Sequence, residues 1–291
     1  MIDSVFKLTA DKAGRNKMRA ALLANSVVGV QRIGRSIMGE DIELYRIGEG
    51  KKRIVYFGAH HALESITCNL LFAFMHNLAQ KTVNTCGKSL DILLASYTYM
   101  AVPCINPDGI EMRFHGVGTS PIADRQNSMS GGDYSTWQAN ARGVDLNHNY
   151  NSCFYDYKLI EREKDISAGP TLYSGEYPES EPESRTAANL VRALNPIGII
   201  SLHSQGEEIY LSPKTKSSLR IAERLSLLTG YTRSEPSGTA RYGGLCDFTG
   251  DVGIPSFTLE VGRGKNPLDE SCCDAIYQRI ESALLLFPTM L

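Results

Sequence analysis

Short runs rich in β-branched and aromatic residues alternate along this chain with stretches of helical periodicity, and that alternation restricts the fold more than any other feature. "RIVYFGA" (53–59) is such a run, and after it Ile66, Leu70, Phe74 and Leu78 lie four apart as the stripe of an amphipathic helix. "LDILLA" (90–95) and "TYMAVPCI" (98–105) read as two more strands, closed by the turn signal "NPDG" at 106–109. Ser180 and Glu183 have capping-box spacing, with Pro182 in the first turn, ahead of the helical "SRTAANLVRAL". "IGIISLH" (197–203) and "SFTLEV" (256–261) read as buried strands, while "KSSLRIAERLSLL" and the last twenty-odd residues read as helices. Strands alternating with helices imply an α/β fold with a largely parallel or mixed sheet covered on both faces. Ligands of such sheets bind beyond the carboxyl ends of the strands. No repeat, low-complexity tract or linker divides the chain, and residues 110–180, rich in Gly, Ser, Asn and Tyr, have the irregularity of a segment that builds a site.

Composition narrows the partners. A formal net charge of -2 from 30 basic and 32 acidic residues supplies no field for nucleic acid or anionic lipid. The run Glu161-Arg162-Glu163-Lys164-Asp165 alternates in sign and reads as a solvated face. No segment reaches the roughly 18 apolar residues of a membrane span, and the first residues lack an export-signal pattern, so a cytoplasmic location is expected. Seven scattered cysteines with no CxxC pair fit neither a disulfide framework nor a cysteine zinc site.

The groups with chemical potential gather at strand ends. His61 and Glu64 follow the run ending near Ala59, His203 ends a second strand, and Glu260 lies near the end of a third. Two imidazoles and a carboxylate form a zinc set with room for water, and a separate glutamate can take a proton from that water. Taken singly, each has a plainer reading: His-x-x-Glu is a weak motif, and a histidine at a strand end is more often hydrogen-bonded than metal-bound. Glu260, within "PSFTLEVG", is harder to set aside, because an unpaired carboxylate there would carry a large desolvation cost. In "NARGVDLNHNY" (140–150), Arg142 offers a planar fork of donors for an oxyanion or a carboxylate, and Asn147 and Asn149 add neutral donors; the plain reading is a polar loop.

In order along the chain stand His61-x-x-Glu64, "INPDG" (105–109), "GVDLNHNY" (143–150), "SLHSQGEEIY" (201–210), "GGLCDF" (243–248) and Glu260. This ordered set resembles the M14 family of zinc carboxypeptidases. The resemblance implies one zinc peptidase domain over 1–291, built as a mixed, mostly parallel twisted sheet of about eight strands with helices on both faces, and a helical extension over 1–25 packed on it. It implies that His61, Glu64 and His203 bind one Zn2+, that Glu260 is general base and acid, and that Arg142, or in its place Arg125, polarises the scissile carbonyl. Asn147 would hold a substrate carboxylate.

The departures bear on substrate. Digestive-type members have Asn-Arg-Asn where this chain has Asn147-His148-Asn149, and an imidazole lacks the permanently charged bidentate fork. Those members also carry an arginine before the metal-binding glutamate, here Leu63, and a mobile tyrosine where this chain has Thr239, with Tyr242 nearer the glycines. "DLNHNY" with "HSQGEEIY" is similar to the bacterial branch of gamma-D-glutamyl-meso-diaminopimelate peptidases, which implies a peptidoglycan-derived peptide substrate. On that reading Glu207 or Glu208 meets the distal ammonium of diaminopimelate and Arg263 or His148 its carboxylate. Two alternatives stand beside it: a metallocarboxypeptidase acting on ordinary peptides, and a non-catalytic wall-peptide-binding module.

Overall fold

The computed structural model describes residues 2–291. Eight strands form one sheet: β1 (Gly29–Arg35), β2 (Asp41–Ile47), β3 (Lys52–Phe57), β4 (Tyr97–Val102), β5 (Gly198–His203), β6 (Glu208–Ser212), β7 (Thr232–Arg233) and β8 (Ser256–Glu260). Their order is β1-β2-β4-β3-β5-β8-β6-β7. The centre, β4-β3-β5-β8, is parallel, and antiparallel pairings add β1 and β2 at one side and β6 at the other. Among the described residues ten α-helices surround it: α1 (Lys12–Leu23), α2 (Ile66–Ala79), α3 (Leu90–Ser96), α4 (Pro107–His115), α5 (Ala123–Ser130), α6 (Phe154–Glu163), α7 (Pro182–Leu194), α8 (Lys216–Thr229), α9 (Leu245–Asp251) and α10 (Cys273–Leu286). Among the described residues no helix is long and apolar enough to cross a membrane.

The central strands are apolar throughout because both faces are covered. Along β3, Ile54 and Tyr56 enter the core under α2 and α10, while Val55 and Phe57 enter the second core with Ala187 and Val191 of α7 and Phe248 of α9. Two buried tyrosines fasten the sheet to α10: Tyr56 Oη donates to the Leu284 carbonyl at 2.7 Å and Tyr99 Oη to that of Leu285 at 2.8 Å. Helix α1 packs on α2 through the buried Met18 and Leu22, which places the amino-terminal residues against the same core.

Three local expectations need correction. "LDILLA" is a helix, capped by Ser89, whose Oγ accepts the Ile92 N–H at 3.4 Å. Leu93 is buried and Leu90 and Leu94 pack partly buried against the core while Ile92 is 67% exposed, so its apolar residues cover one side of a short surface helix rather than fill a strand core. "NPDG" opens α4 instead of closing a turn: Asn106 caps it by accepting the Gly109 N–H at 3.0 Å, and Pro107 takes the first helical position. The Ser180/Glu183 capping box does not form. Ser180 donates to Glu181 at 2.9 Å, and Glu183 turns away to accept from Ile37 N at 3.1 Å and Asn140 Nδ2 at 3.3 Å.

Glu183 is buried beside Asp108, which itself accepts from Ser36 Oγ and Met38 N at 2.7 and 2.9 Å in the β1–β2 turn. Burial, and then the Asp108 carboxylate, push the Glu183 carboxyl up to about 8. The folded state therefore holds a proton that the unfolded chain releases near its ordinary value. Glu183's contribution is fully present below that value and is lost as pH rises toward 8. Glu183→Gln removes this titration. Comparing urea unfolding of the two proteins, the difference in stability should move in favour of the variant by roughly 2–4 kcal/mol between pH 5 and pH 8. Parallel pH profiles would exclude the assignment.

Candidate active site

The carboxyl ends of β3, β5 and β8 open on one edge, and the segment after β3 is bent sharply there. Ala59 has φ +51°, a left-handed conformation that alanine adopts at a cost. It is held by Thr67 Oγ1, which accepts the Ala59 N–H at 2.8 Å, and by the Asn106 N–H, which donates to the Ala59 carbonyl at 3.0 Å. The two histidines that follow part company. His60 lies buried with Nε2 2.9 Å from the Tyr150 hydroxyl and its ring stacked on His203, centroids 5.4 Å apart; burial, then the neighbouring His203, lowers its pKa and keeps it neutral. His61 turns to the sheet edge.

There, His61 Nδ1 lies 2.9 Å from Glu64 Oε1, and His203 Nδ1 lies 2.9 Å from Glu64 Oε2 and 3.3 Å from His61 Nδ1. One donor atom from each residue falls within 4.8 Å of the others. Ligands about 2.0–2.1 Å from a tetrahedral zinc are about 3.3 Å apart, so the observed spacing suits the ion. The opposite nitrogen of His61, Nε2, faces Asp145 Oδ1 at 3.0 Å. A carboxylate only accepts, so the contact with Asp145 keeps a proton on Nε2, and Nδ1 is the nitrogen that can give up its proton and turn a lone pair to a metal. Asp145 also accepts the Leu172 and Asn147 N–H groups at 3.1 and 3.2 Å; burial opposes its charge, yet His61 holds its carboxyl well below the usual range. The field at the meeting point favours positive charge as well: burial disfavours a charged His61, but Glu64 and Asp145 outweigh it and raise its pKa. Two imidazole nitrogens facing each other beside a buried carboxylate, with a carboxylate behind, are a donor set that fits zinc.

Glu260 stands apart from these three. It pairs in register with His203 across β5 and β8 and with Glu208 across β6, and burial, then Glu64, raises its pKa well above the ordinary carboxyl value. His203, Glu260 and Thr258 share the sheet face toward α9, where a cavity of about 830 Å³ runs from His61, His203 and Glu260 outward to the 235–242 segment. Asn147, His148 and Tyr242 also line it. Asn147 Oδ1 accepts the Leu245 N–H at 3.2 Å, which leaves its Nδ2 donors for a ligand. His148 donates Nδ1–H to the Tyr242 carbonyl at 2.8 Å and stacks on Tyr157 with centroids 4.0 Å apart; burial lowers its pKa. A neutral ring donating from Nδ1 presents only an acceptor at Nε2, so His148 suits an N–H group rather than the carboxylate expected for it.

The remaining expected site residues lie elsewhere. Arg142 Nε donates to Glu181 Oε2 at 2.9 Å, and neither it nor Arg125 lines the cavity. Glu207 and Arg263 pair with each other at 2.8 Å, Glu207 also binding Arg279, and neither reaches the cavity lining; their charges are spent on one another. Glu208 accepts from Tyr210 Oη at 2.6 Å. Sequence reasoning missed Asp145, although it stands within "GVDLNHNY" two residues before Asn147; a buried acid in a polar loop is the only local signal it gives.

Comparisons with known proteins agree with this geometry. The zinc carboxypeptidase family model, peptidase family M14, matches residues 18–267. The chain is 34% identical over 262 residues to gamma-D-glutamyl-L-diamino acid endopeptidase 1 of Lysinibacillus sphaericus, covering 84% of this chain and 63% of that one. It thus spans somewhat under two thirds of that relative's length. It is 25% identical over 183 residues to murein peptide amidase A of Escherichia coli K12, covering 60% of this chain and 59% of that one. Thrombin-activatable fibrinolysis inhibitor shares the fold with a TM-score of 0.75 at 19% identity, over 98% of this chain and 75% of that one. The match over most of the chain and the His61, Glu64 and His203 cluster lead to one conclusion: this protein belongs to the M14 family of zinc-dependent carboxypeptidases.

Proposed function

We propose that the protein is a zinc peptidase that hydrolyses the amide between gamma-D-glutamate and a diamino acid, diaminopimelate foremost, in peptidoglycan-derived peptides. The observation that carries the peptidase reading is the placement of Glu260 beside, but outside, the His61, Glu64 and His203 cluster at the head of an 830 Å³ cavity. The similarity to a gamma-D-glutamyl-L-diamino acid endopeptidase supports the substrate class. So does the neutral, backbone-bonded His148, standing where digestive-type members have an arginine.

His61, Glu64 and His203 would hold the zinc, with Asp145 fixing the ring of His61. Zinc bound there supplies Lewis-acid polarisation of a carbonyl and acidifies water. Glu260 takes the proton from the attacking water and returns it to the leaving amine. With Arg142 tied to Glu181, the donors left to meet the developing oxyanion from the protein are those in the cavity wall, where Gln138 carries a side-chain amide able to donate. Asn147, which lines the same cavity, orients the substrate.

The test is to incubate the zinc-loaded protein with L-Ala-gamma-D-Glu-diaminopimelate and with an amino-blocked ordinary dipeptide. Release of diaminopimelate with little action on the dipeptide is expected. Preference for the ordinary dipeptide would replace this reading by a general carboxypeptidase, and tight binding of wall peptide with no product by a binding module.

A further inference from the structure

The charges lining the cavity can be followed to their partners. Asp145 is committed to His61, Glu260 stands at the metal cluster, and Lys214 and Glu235 pair with each other at 3.0 Å at the rim, both largely exposed. Two charged groups of the wall are then left over. Arg241, exposed to solvent on the cavity wall, makes no ion pair or hydrogen bond among the described residues; its guanidinium lies 4.6 Å from the Tyr242 ring centroid, a contact that orients the group without neutralising it. Asp247, half-buried in the first turn of α9, accepts one hydrogen bond, from the Gly244 N–H at 3.3 Å. Burial pushes the Asp247 carboxyl up, as does Asp251, while His148 and Lys214 act in the opposite sense. A partly desolvated carboxylate with one weak backbone donor is incomplete without a cation. Beside it, His148 Nε2 adds a neutral acceptor.

We infer that Arg241 and Asp247 form a reader of zwitterionic side chains: Arg241 takes a carboxylate and Asp247 an ammonium borne on the same distal carbon of the residue that leaves with the new amine. The inference rests on the peptidase reading above and specifies the substrate group that this cavity selects. A single-charge side chain would leave one of the two groups unmatched, and the price of that mismatch is what creates selectivity. Arg241 and Asp247 stand six positions apart on either side of Gly243 and Gly244, the first before α9 and the second in it, and both line the cavity.

The experiment uses three gamma-D-glutamyl dipeptides with the whole zinc-loaded chain: one ending in diaminopimelate, one in lysine, which lacks the distal carboxylate, and one in 2-aminopimelate, which lacks the distal ammonium. Arg241→Gln should lower kcat/KM about tenfold to a hundredfold for diaminopimelate and 2-aminopimelate while the lysine peptide changes by less than about threefold. Asp247→Asn, which keeps an acceptor for the Gly244 N–H, should lower diaminopimelate and lysine by a similar factor and spare 2-aminopimelate. The spared substrate reports an intact fold and zinc site in each variant. If the parent cleaves the diaminopimelate peptide but each variant affects all three substrates alike, or none, the reader is wrong and the peptidase reading stands. If the parent cleaves none of the three, both fall.

Discussion

Glu260→Gln should retain zinc at one ion per chain and lose turnover of the gamma-D-glutamyl peptide by about a hundredfold to ten-thousandfold in kcat. The substitution is isosteric, and the carboxyl is not one of the three groups that converge at the cluster. Its strand pairing to His203 and Glu208 is made by backbone atoms, which the change leaves untouched. An amide can hold a water by hydrogen bonds but cannot take its proton, so the loss belongs to kcat, with KM nearly constant. Metal analysis beside initial rates makes the measurement decisive. Parent-like turnover in the variant would remove Glu260 from the mechanism, and loss of zinc along with activity would make it a ligand instead.

How far the site could be read in advance depended on whether a residue's role was written into its own neighbourhood. His203 and Glu260 were legible because each ends a strongly apolar run, and the only solution for such runs is a covered parallel sheet whose carboxyl edge is open. Arg142 was not, since its fate is set by Glu181, 39 positions away, and an ion pair at that separation leaves no local trace. The same holds for Glu207, captured by Arg263 and Arg279. Asp145 hid for the converse reason: its loop looks like ordinary polar chain until β3 delivers His61 to it. In the fold, the misread pieces were short. "LDILLA" is too brief for period 2 and period 3.6 to be told apart, and only the Ser89 cap decides it. "NPDG" carries turn residues that are equally an N-cap followed by a first-turn proline.

His61→Ala and Asp145→Asn should separate holding the metal from preparing its ligand. Removing the His61 imidazole takes one of three protein donors and leaves Glu64 and Asp145 buried without the group that both face. That variant should fail to retain zinc through a desalting column, and its melting temperature should no longer rise when zinc is added, because an ion that binds the native state alone stabilises it only while it binds. Asp145→Asn leaves all three donors in place. An amide at this position can still accept the His61 Nε2–H but brings no charge, and it can equally turn its own NH2 toward the ring and impose the wrong tautomer. Zinc affinity should therefore fall about tenfold to a hundredfold, measured by competition with a chelator, while stoichiometric loading remains attainable at excess metal. Activity at saturating zinc should then recover further in Asp145→Asn than in His61→Ala. Equal zinc affinity in Asp145→Asn and the parent would show that the Asp145 contact is an incidental ion pair, and retention of zinc by His61→Ala would move the metal off this cluster.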